Sequence, residues 1–288
     1  MLKNRANNNH KFKKIIVTVD GSFHGNIAAR YSFIFAEAWG SRLFVITVLA
    51  KKMGKKEEED ASLSVEKILE EAREANLDAE GVLLAGDVVG AINKFVEENS
   101  IDLVMSSTRR PHRESRLFAR SITSTLMSKL PCSVIGFKIT HPGRSIKPRK
   151  ILVPVIGDGY KDMERADIIE SFTRKFGSEI TVFNVNELSS FHTKRLDKPD
   201  KDRLILSGEK KIKSFVDELK RRRINITEKI IIGKSAREEI ISEASHHRYD
   251  LIILGTTMRN IIKRVVSGNP VEEILRDTPC DVMLIHFK

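Results

Sequence analysis

What most constrains this chain is that one sequence pattern occurs in it twice. Lys14-Ile-Ile-Val-Thr-Val-Asp20 returns as Lys150-Ile-Leu-Val-Pro-Val-Ile156, an offset of 136 residues. Asp102-Leu-Val-Met105 returns as Asp250-Leu-Ile-Ile253 and Pro131-Cys132 as Pro279-Cys280, both at an offset of 148. Landmarks repeated in the same order mark a duplicated structural unit. The 288 residues, 41% of them hydrophobic, suffice for two ordinary cores. The larger offset late in the repeat places about a dozen extra residues in the second copy. The polar stretch 186–202 is expected to hold most of them as a loop.

Within each copy, short β-branched runs alternate with segments of helical periodicity. The first copy predicts strands near 15–19, 43–49, 81–84, 101–105 and 133–137, with helices near 24–39, 58–75, 88–98 and 115–129. The second predicts strands near 151–155, 179–185, 228–232, 251–254 and 282–286, with helices near 161–176, 207–223, 236–247 and 270–276. Such alternation implies an α/β fold: two open, mainly parallel five-stranded sheets flanked by helices. The first domain is expected over 11–140 and the second over 150–288. The Pro- and Gly-containing segment 141–149 joins them.

The formal net charge of +11 favours anionic partners without choosing among them. Aromatic residues are not interleaved with the basic clusters, and no helix-turn-helix pattern is present, so no specific nucleic-acid binding is expected. No apolar stretch approaches a membrane span and residues 1–14 lack an apolar signal segment. The expectation is a cytoplasmic protein, not embedded in a membrane. Cys132 and Cys280 precede apolar runs and read as buried thiols. The run Lys220–Arg223 reads as a solvated helix end, and His246 and His247 as surface residues.

In an open parallel sheet, ligands gather beyond the carboxyl ends of the strands, where strand order reverses. In the first copy that region offers Asp20 and Ser22, as ligand contacts or as helix caps, and the cationic Arg109, Arg110 and Arg113. In the second it offers Gly157 and Asp158, then Gly255, Thr256, Thr257 and Met258, then Gly268 and Asn269 before Pro270. Glycines opening a helix let backbone N–H groups approach a phosphate, and threonine or asparagine side chains add donors. Gly233-Lys234-Ser235 lacks the preceding glycines of a phosphate-gripping loop and reads as a turn with Ser235 as helix cap. No nucleophile–base set and no metal-ligand spacing is visible, so no catalytic residue and no resident metal are expected.

These residues resemble the universal stress protein family in tandem form. Val19-Asp20-Gly21-Ser22, Asp102-Leu-Val-Met105 and Pro131-Cys-Ser-Val134 carry the likeness in the first copy. Lys150-Ile-Leu-Val-Pro-Val155, Asp250-Leu-Ile-Ile-Leu-Gly255, Gly268 and Pro279-Cys-Asp-Val282 carry it in the second. The resemblance implies a strand order of 3-2-1-4-5, an adenine nucleotide alpha hydrolase-like fold, and an intramolecular pseudo-dimer of the two domains. It also implies a stress-response or regulatory role with ATP or AMP bound without fast turnover, and Mg2+ only with a triphosphate.

Neither copy keeps the full ATP pattern of the family. Its acidic position is Asp20 in the first copy and Ile156 in the second. Its glycines are replaced by Ser106, Arg109 and Arg120 in the first copy; in the second, Gly255 and Gly268 stand while Met258 replaces the middle glycine and Asn269 the final hydroxyl position. Nucleotide binding is therefore expected in the second domain. The alternative is an interaction scaffold with degenerate sites, acting as a homodimer, on a regulatory protein or on a membrane transporter.

Overall fold

The computed structural model describes residues 12–50, 54–108, 121–141, 146–156, 161–188, 197–256 and 270–288. The chain divides into two compact units, one running to Phe137 and including His286–Lys288, the other spanning Lys138–Ile285. Each is an α/β layer structure.

In the first unit, β1 (Lys14–Thr18), β2 (Arg42–Leu49), β3 (Ala79–Ala85), β4 (Leu103–Ser107) and β5 (Ser133–Lys138) are joined through α1 (Phe23–Trp39), α2 (Lys55–Glu74), α3 (Val88–Asn99) and α4 (Ile122–Lys129). The strands lie in the order β3-β2-β1-β4-β5, and every pairing among them is parallel. Strand order therefore reverses between β1 and β4. The central strands are apolar on both faces, as a sheet covered on both sides requires: Ile15, Ile16 and Val17, like Leu103, Val104 and Met105, are fully buried.

The second unit repeats this with β6 (Lys150–Pro154), β7 (Glu179–Glu187), β8 (Ile226–Gly233), β9 (Leu251–Gly255) and β10 (Asp281–His286). Its helices are α5 (Asp162–Phe176), α6 (Lys198–Arg221), α7 (Ala236–His246) and α8 (Pro270–Asp277). Strand order is β8-β7-β6-β9-β10, again parallel throughout, with the reversal between β6 and β9.

The repeated landmarks have repeated physical jobs. The carboxylate of Asp102 accepts from the backbone N–H groups of Lys13 and Lys14 at 2.8 and 2.9 Å, tying the start of β4 to the start of β1. Asp250 does the same for Arg149 and Lys150 at 2.9 and 3.1 Å. Ser41 and Ser178 each donate to a carbonyl just before the first strand of the unit, Phe12 O and Pro148 O, both at 2.6 Å. Gly40 and Gly177 close the first helix of each unit in the left-handed region, at φ 65° and 64°.

Some expectations move. The loop predicted over 186–202 is shorter at both ends, because β7 continues to Glu187 and α6 begins at Lys198 rather than near 207. Asp197 causes the early start: its side chain accepts from Asp200 N, and Pro199 occupies the first turn, where a missing N–H costs nothing. Residues 189–196 lie outside the described residues, as do 109–120, so the helix predicted from 115 is described only from Ile122, capped by Ser121. Lys220–Arg223 is not a uniformly solvated run: Arg222 folds back onto Asp167, Glu170 and Glu218. The cysteines are buried free thiols, and His246 and His247 are exposed.

Candidate functional site

In the first unit the region beyond β1 satisfies its own polar groups. Ser22 is the N-cap of α1, its Oγ accepting from Gly25 N at 3.2 Å, while Asp20 Oδ1 accepts from both the N–H and the hydroxyl of Ser22, at 3.0 and 2.5 Å. Two glycines permit this turn. Gly21 lies at φ 76° with the Asp60 backbone 3.1 Å from where a Cβ would stand, and a Cβ at Gly25 would meet Asp20 Oδ1 at 2.9 Å. At the reversal between β1 and β4, Thr18 donates to Ser106 at 3.0 Å, and Thr123 donates to Ser106 at 3.3 Å and to Ser107 O at 3.1 Å. Hydroxyl groups here bind one another. Arg109, Arg110, Arg113 and Arg120 lie outside the described residues.

The second unit is built differently at the same place. Pro154 stands where the first unit has Thr18, and Gly255 stands where it has Ser107, not the Ser106 expected from the family pattern, because the strands align at an offset of 148 residues. The acidic position is Ile156, an exposed isoleucine at 47% of its surface. A cavity of about 270 Å³ opens beside it, lined by Ile156 and the end of β6, by Asn184 and Glu187 of β7, by Lys211 of α6 and by Ile240 of α7. Ligand pockets commonly run from about 300 to 1,000 Å³, so this one suits a ring system rather than a whole nucleotide.

The polar wall is held from behind. Asn184 is 2% exposed, and its Nδ2 donates to Val155 O at 2.8 Å. Its Oδ1 is buried without a hydrogen-bond partner among the described residues. Lys211 Nζ donates to Asn186 Oδ1 at 3.1 Å, and Asn186 Nδ2 to Leu204 O at 2.7 Å. Glu187 accepts from Ala236 N at 2.6 Å and so supplies the cap of α7. Ser235, expected as that cap, sits at the N-cap position without making the side-chain bond. Gly208 of α6 packs so tightly on β7 and β8 that a Cβ there would meet Ile230 Cγ2 at 2.5 Å and Asn186 Nδ2 at 2.8 Å.

Behind the end of β6 lies Arg165, which the sequence reading passed over. Its side chain is 4% exposed. Nη2 donates to Pro154 O at 3.3 Å, and the guanidinium stacks 4.4 Å from the ring centre of Phe215. Its stem lies against Gly255, with Cδ and Nε 3.7 Å from where a Cβ would stand. Among the described residues Nε has no hydrogen-bond partner, and Nη1 is 3.9 Å from Asp162 Oδ1, beyond hydrogen-bond reach. Burial pushes the guanidinium down to about 10, and the nearby Asp162 only partly offsets it. The missed signal was positional, since Arg165 falls on the same helical stripe as the buried Ile168, Ile169 and Phe172.

Of the residues singled out from sequence, the structure thus places Gly255 beside Arg165, at the strand reversal. Thr256 is buried, and its N–H is already used on Ile285 O at 2.8 Å, as Thr108 N is on Phe137 O. Gly157, Asp158, Thr257, Met258, Gly268 and Asn269 lie outside the described residues. Among the described residues no group of three or more His, Cys, Asp or Glu side chains could hold a metal ion. Nor, among them, is any helix long and apolar enough to cross a membrane.

The fold and the duplicated landmarks define a tandem α/β architecture, and the sequence matches the model of the universal stress protein family twice, over residues 11–138 and 147–286. The chain belongs to that family. A universal stress protein from Archaeoglobus fulgidus DSM 4304 superposes with a TM-score of 0.61 at 18% identity, covering 96% of this chain and 98% of that one. A protein from Pseudomonas aeruginosa UCBPP-PA14, described as a putative universal stress protein, gives 0.65 at 17% identity, covering 95% and 92%. Likeness at these identities speaks for the fold alone. No curated protein matches the chain.

Proposed function

We propose that the second unit binds an adenine nucleotide, ATP or AMP, and that the chain is a cytoplasmic stress-response or regulatory protein that does not turn its ligand over. What carries this reading is the cavity of about 270 Å³ at the carboxyl ends of β6 and β7. It has the size for a base, one apolar wall in Ile156 and Ile240, and polar groups in Asn184 and Lys211. The phosphates would then run toward Gly255, across the strand reversal, with Gly268 and Asn269 as further contacts. Mg2+ would accompany only a triphosphate. Nothing in the described wall pairs a nucleophile with a base: Glu187 caps a helix and Lys211 holds an asparagine.

For the first unit a scaffold role is the better reading. Asp20 and Ser22 serve the start of α1, and the Thr18–Ser106–Thr123 hydroxyls engage one another. Such a unit would support a homodimer, a regulatory partner or a transporter contact.

The test begins with protein purified without added nucleotide, denatured, and searched for released small molecules by mass spectrometry. Emptied protein is then titrated with ATP, ADP and AMP, with and without Mg2+. The expected result is saturable micromolar binding that weakens in Gly255→Ala and in Lys211→Met, with the fold intact by circular dichroism. A Cβ at Gly255 meets only ordinary contacts, the nearest at 3.7 Å, so small substitutions there probe the ligand rather than the core. Absence of retained nucleotide together with no saturable binding up to millimolar concentration would refute the reading.

A further inference from the structure

A buried guanidinium normally comes with a carboxylate in direct contact and with acceptors for its remaining N–H groups. Arg165 has neither. Its one hydrogen bond among the described residues is to Pro154 O, at a long 3.3 Å. Asp162, the nearest carboxylate, stands 3.9 Å away; its Oδ2 accepts from Ser214 at 2.7 Å, while its Oδ1 is itself buried and unpartnered. The Phe215 face supports the cation but supplies no acceptor. The arginine remains a cation at neutral pH, so the second unit carries in its interior a positive charge that Asp162 compensates only in part.

Its location gives that charge a use. Arg165 touches Pro154, which lines the base-sized cavity, and Gly255, which ends β9, so it lies where β6 and β9 part. The matching point of the first unit holds the self-satisfied hydroxyls of Thr18, Ser106 and Thr123. The family's acidic position is meanwhile apolar in the second unit, as Ile156. Among the described residues, the first unit therefore has hydroxyls and the Asp20 carboxylate beside its strand reversal, whereas the second has an isoleucine at the acidic position and a cation short of acceptors.

The geometry points to Arg165 as the anion receptor of the second unit, its guanidinium taking a phosphoryl group of the ligand whose base fills the neighbouring cavity. The planar fork of arginine suits phosphoryl oxygens, and a charge-assisted bond in a dry site is stronger than one at the surface. The inference rests on the nucleotide reading above for the base, but the phosphoryl contact stands or falls separately.

Full-length wild type, Arg165→Met and Arg165→Lys, each stripped of small molecules, are titrated calorimetrically with AMP, adenosine and inorganic pyrophosphate, and their thermal unfolding is followed with and without each. Wild type is expected to bind AMP more tightly than adenosine. Arg165→Met should lose about 10- to 100-fold in AMP affinity while leaving adenosine unchanged, and Arg165→Lys should keep part of the preference. Equal affinity of wild type for AMP and adenosine, or AMP binding undiminished in Arg165→Met, overturns the receptor and leaves the base site standing. Arg165-dependent pyrophosphate binding without any response to adenosine or AMP upholds the receptor and removes the base site. No binding of any of the three overturns both.

Discussion

Replacing Arg222 by methionine isolates the largest ion-pair network described in the second unit. The guanidinium donates through Nη1 to Asp167 at 2.5 Å and Glu170 at 3.0 Å, and through Nε to Glu218 at 2.7 Å, joining α5 to the end of α6. Its side chain is 17% exposed and those of its partners 8–22%. Burial alone would lower its proton affinity; the three carboxylates outweigh that and raise it. Hydrogen bonds to charged groups each contribute about 1.5–3 kcal/mol, and they are not additive within one network. Two partners keep other cations, Glu170 with Arg174 and Glu218 with Arg221, which softens the loss. Methionine also preserves the packing of the stem. The expected cost is therefore about 2–3 kcal/mol, below the ~3–5 kcal/mol of a pair broken in a dry core. Urea denaturation reads it: with a slope of about 1–3 kcal/mol per molar, the midpoint of the affected transition falls by about 0.7–3 M. The exposed pair Lys213–Asp217 is the control, and Lys213→Met should stay within about 0.5 kcal/mol. If Arg222→Met costs less than about 1 kcal/mol, the network is worth no more than a surface pair and the reasoning is wrong.

Two further outcomes follow from packing and burial. Gly208→Ala should gain about 1 kcal/mol in helix propensity and lose about 1–3 kcal/mol to the clash with Ile230 and Asn186, for a net destabilisation measurable by urea midpoint; a stabilised variant would show that α6 can lift off the sheet freely. Cys132 and Cys280 should resist alkylation in the folded chain at pH 8 and react once it is unfolded, since burial pushes the Cys132 thiol up to about 12. The native state thus holds that proton more tightly than the unfolded one, so stability should decline as pH rises above about 8.5, the ordinary range of a free thiol, and continue declining toward 12. A native-state alkylation rate equal to the unfolded rate would contradict this.

The sheets were legible in the sequence because buried parallel strands are written as unbroken apolar runs, such as Ile15–Val17 and Leu251–Ile253. Element ends were less so. Asp197 starts α6 from inside a stretch that looks like solvated loop, and Glu187 does the capping that Ser235 was positioned to do. In both cases the deciding hydrogen bond lies outside the local pattern or competes with it. The site divides the same way. Asp20, Ser22, Ile156 and Gly255 could be found because the strand that precedes each is obvious. Arg165 could be found only from its place on the apolar stripe of α5, and Asn184 and Lys211 not at all, since a polar residue in a strand or helix normally means a solvated face and only the third dimension puts Val155 beside Asn184.

The difference between hydroxyls at one strand reversal and a guanidinium at the other has a genetic consequence. In an assembly of two identical chains, any codon change appears in both copies at once, so a cation placed at one strand reversal would stand at the sister reversal as well. A fused gene escapes that rule. Here the Thr18–Ser106–Thr123 arrangement and Arg165 are encoded separately, and each can mutate while the other is held constant. Fusion turns a symmetric pair into two independently heritable positions, one free to specialise in chemistry while the other keeps the architecture.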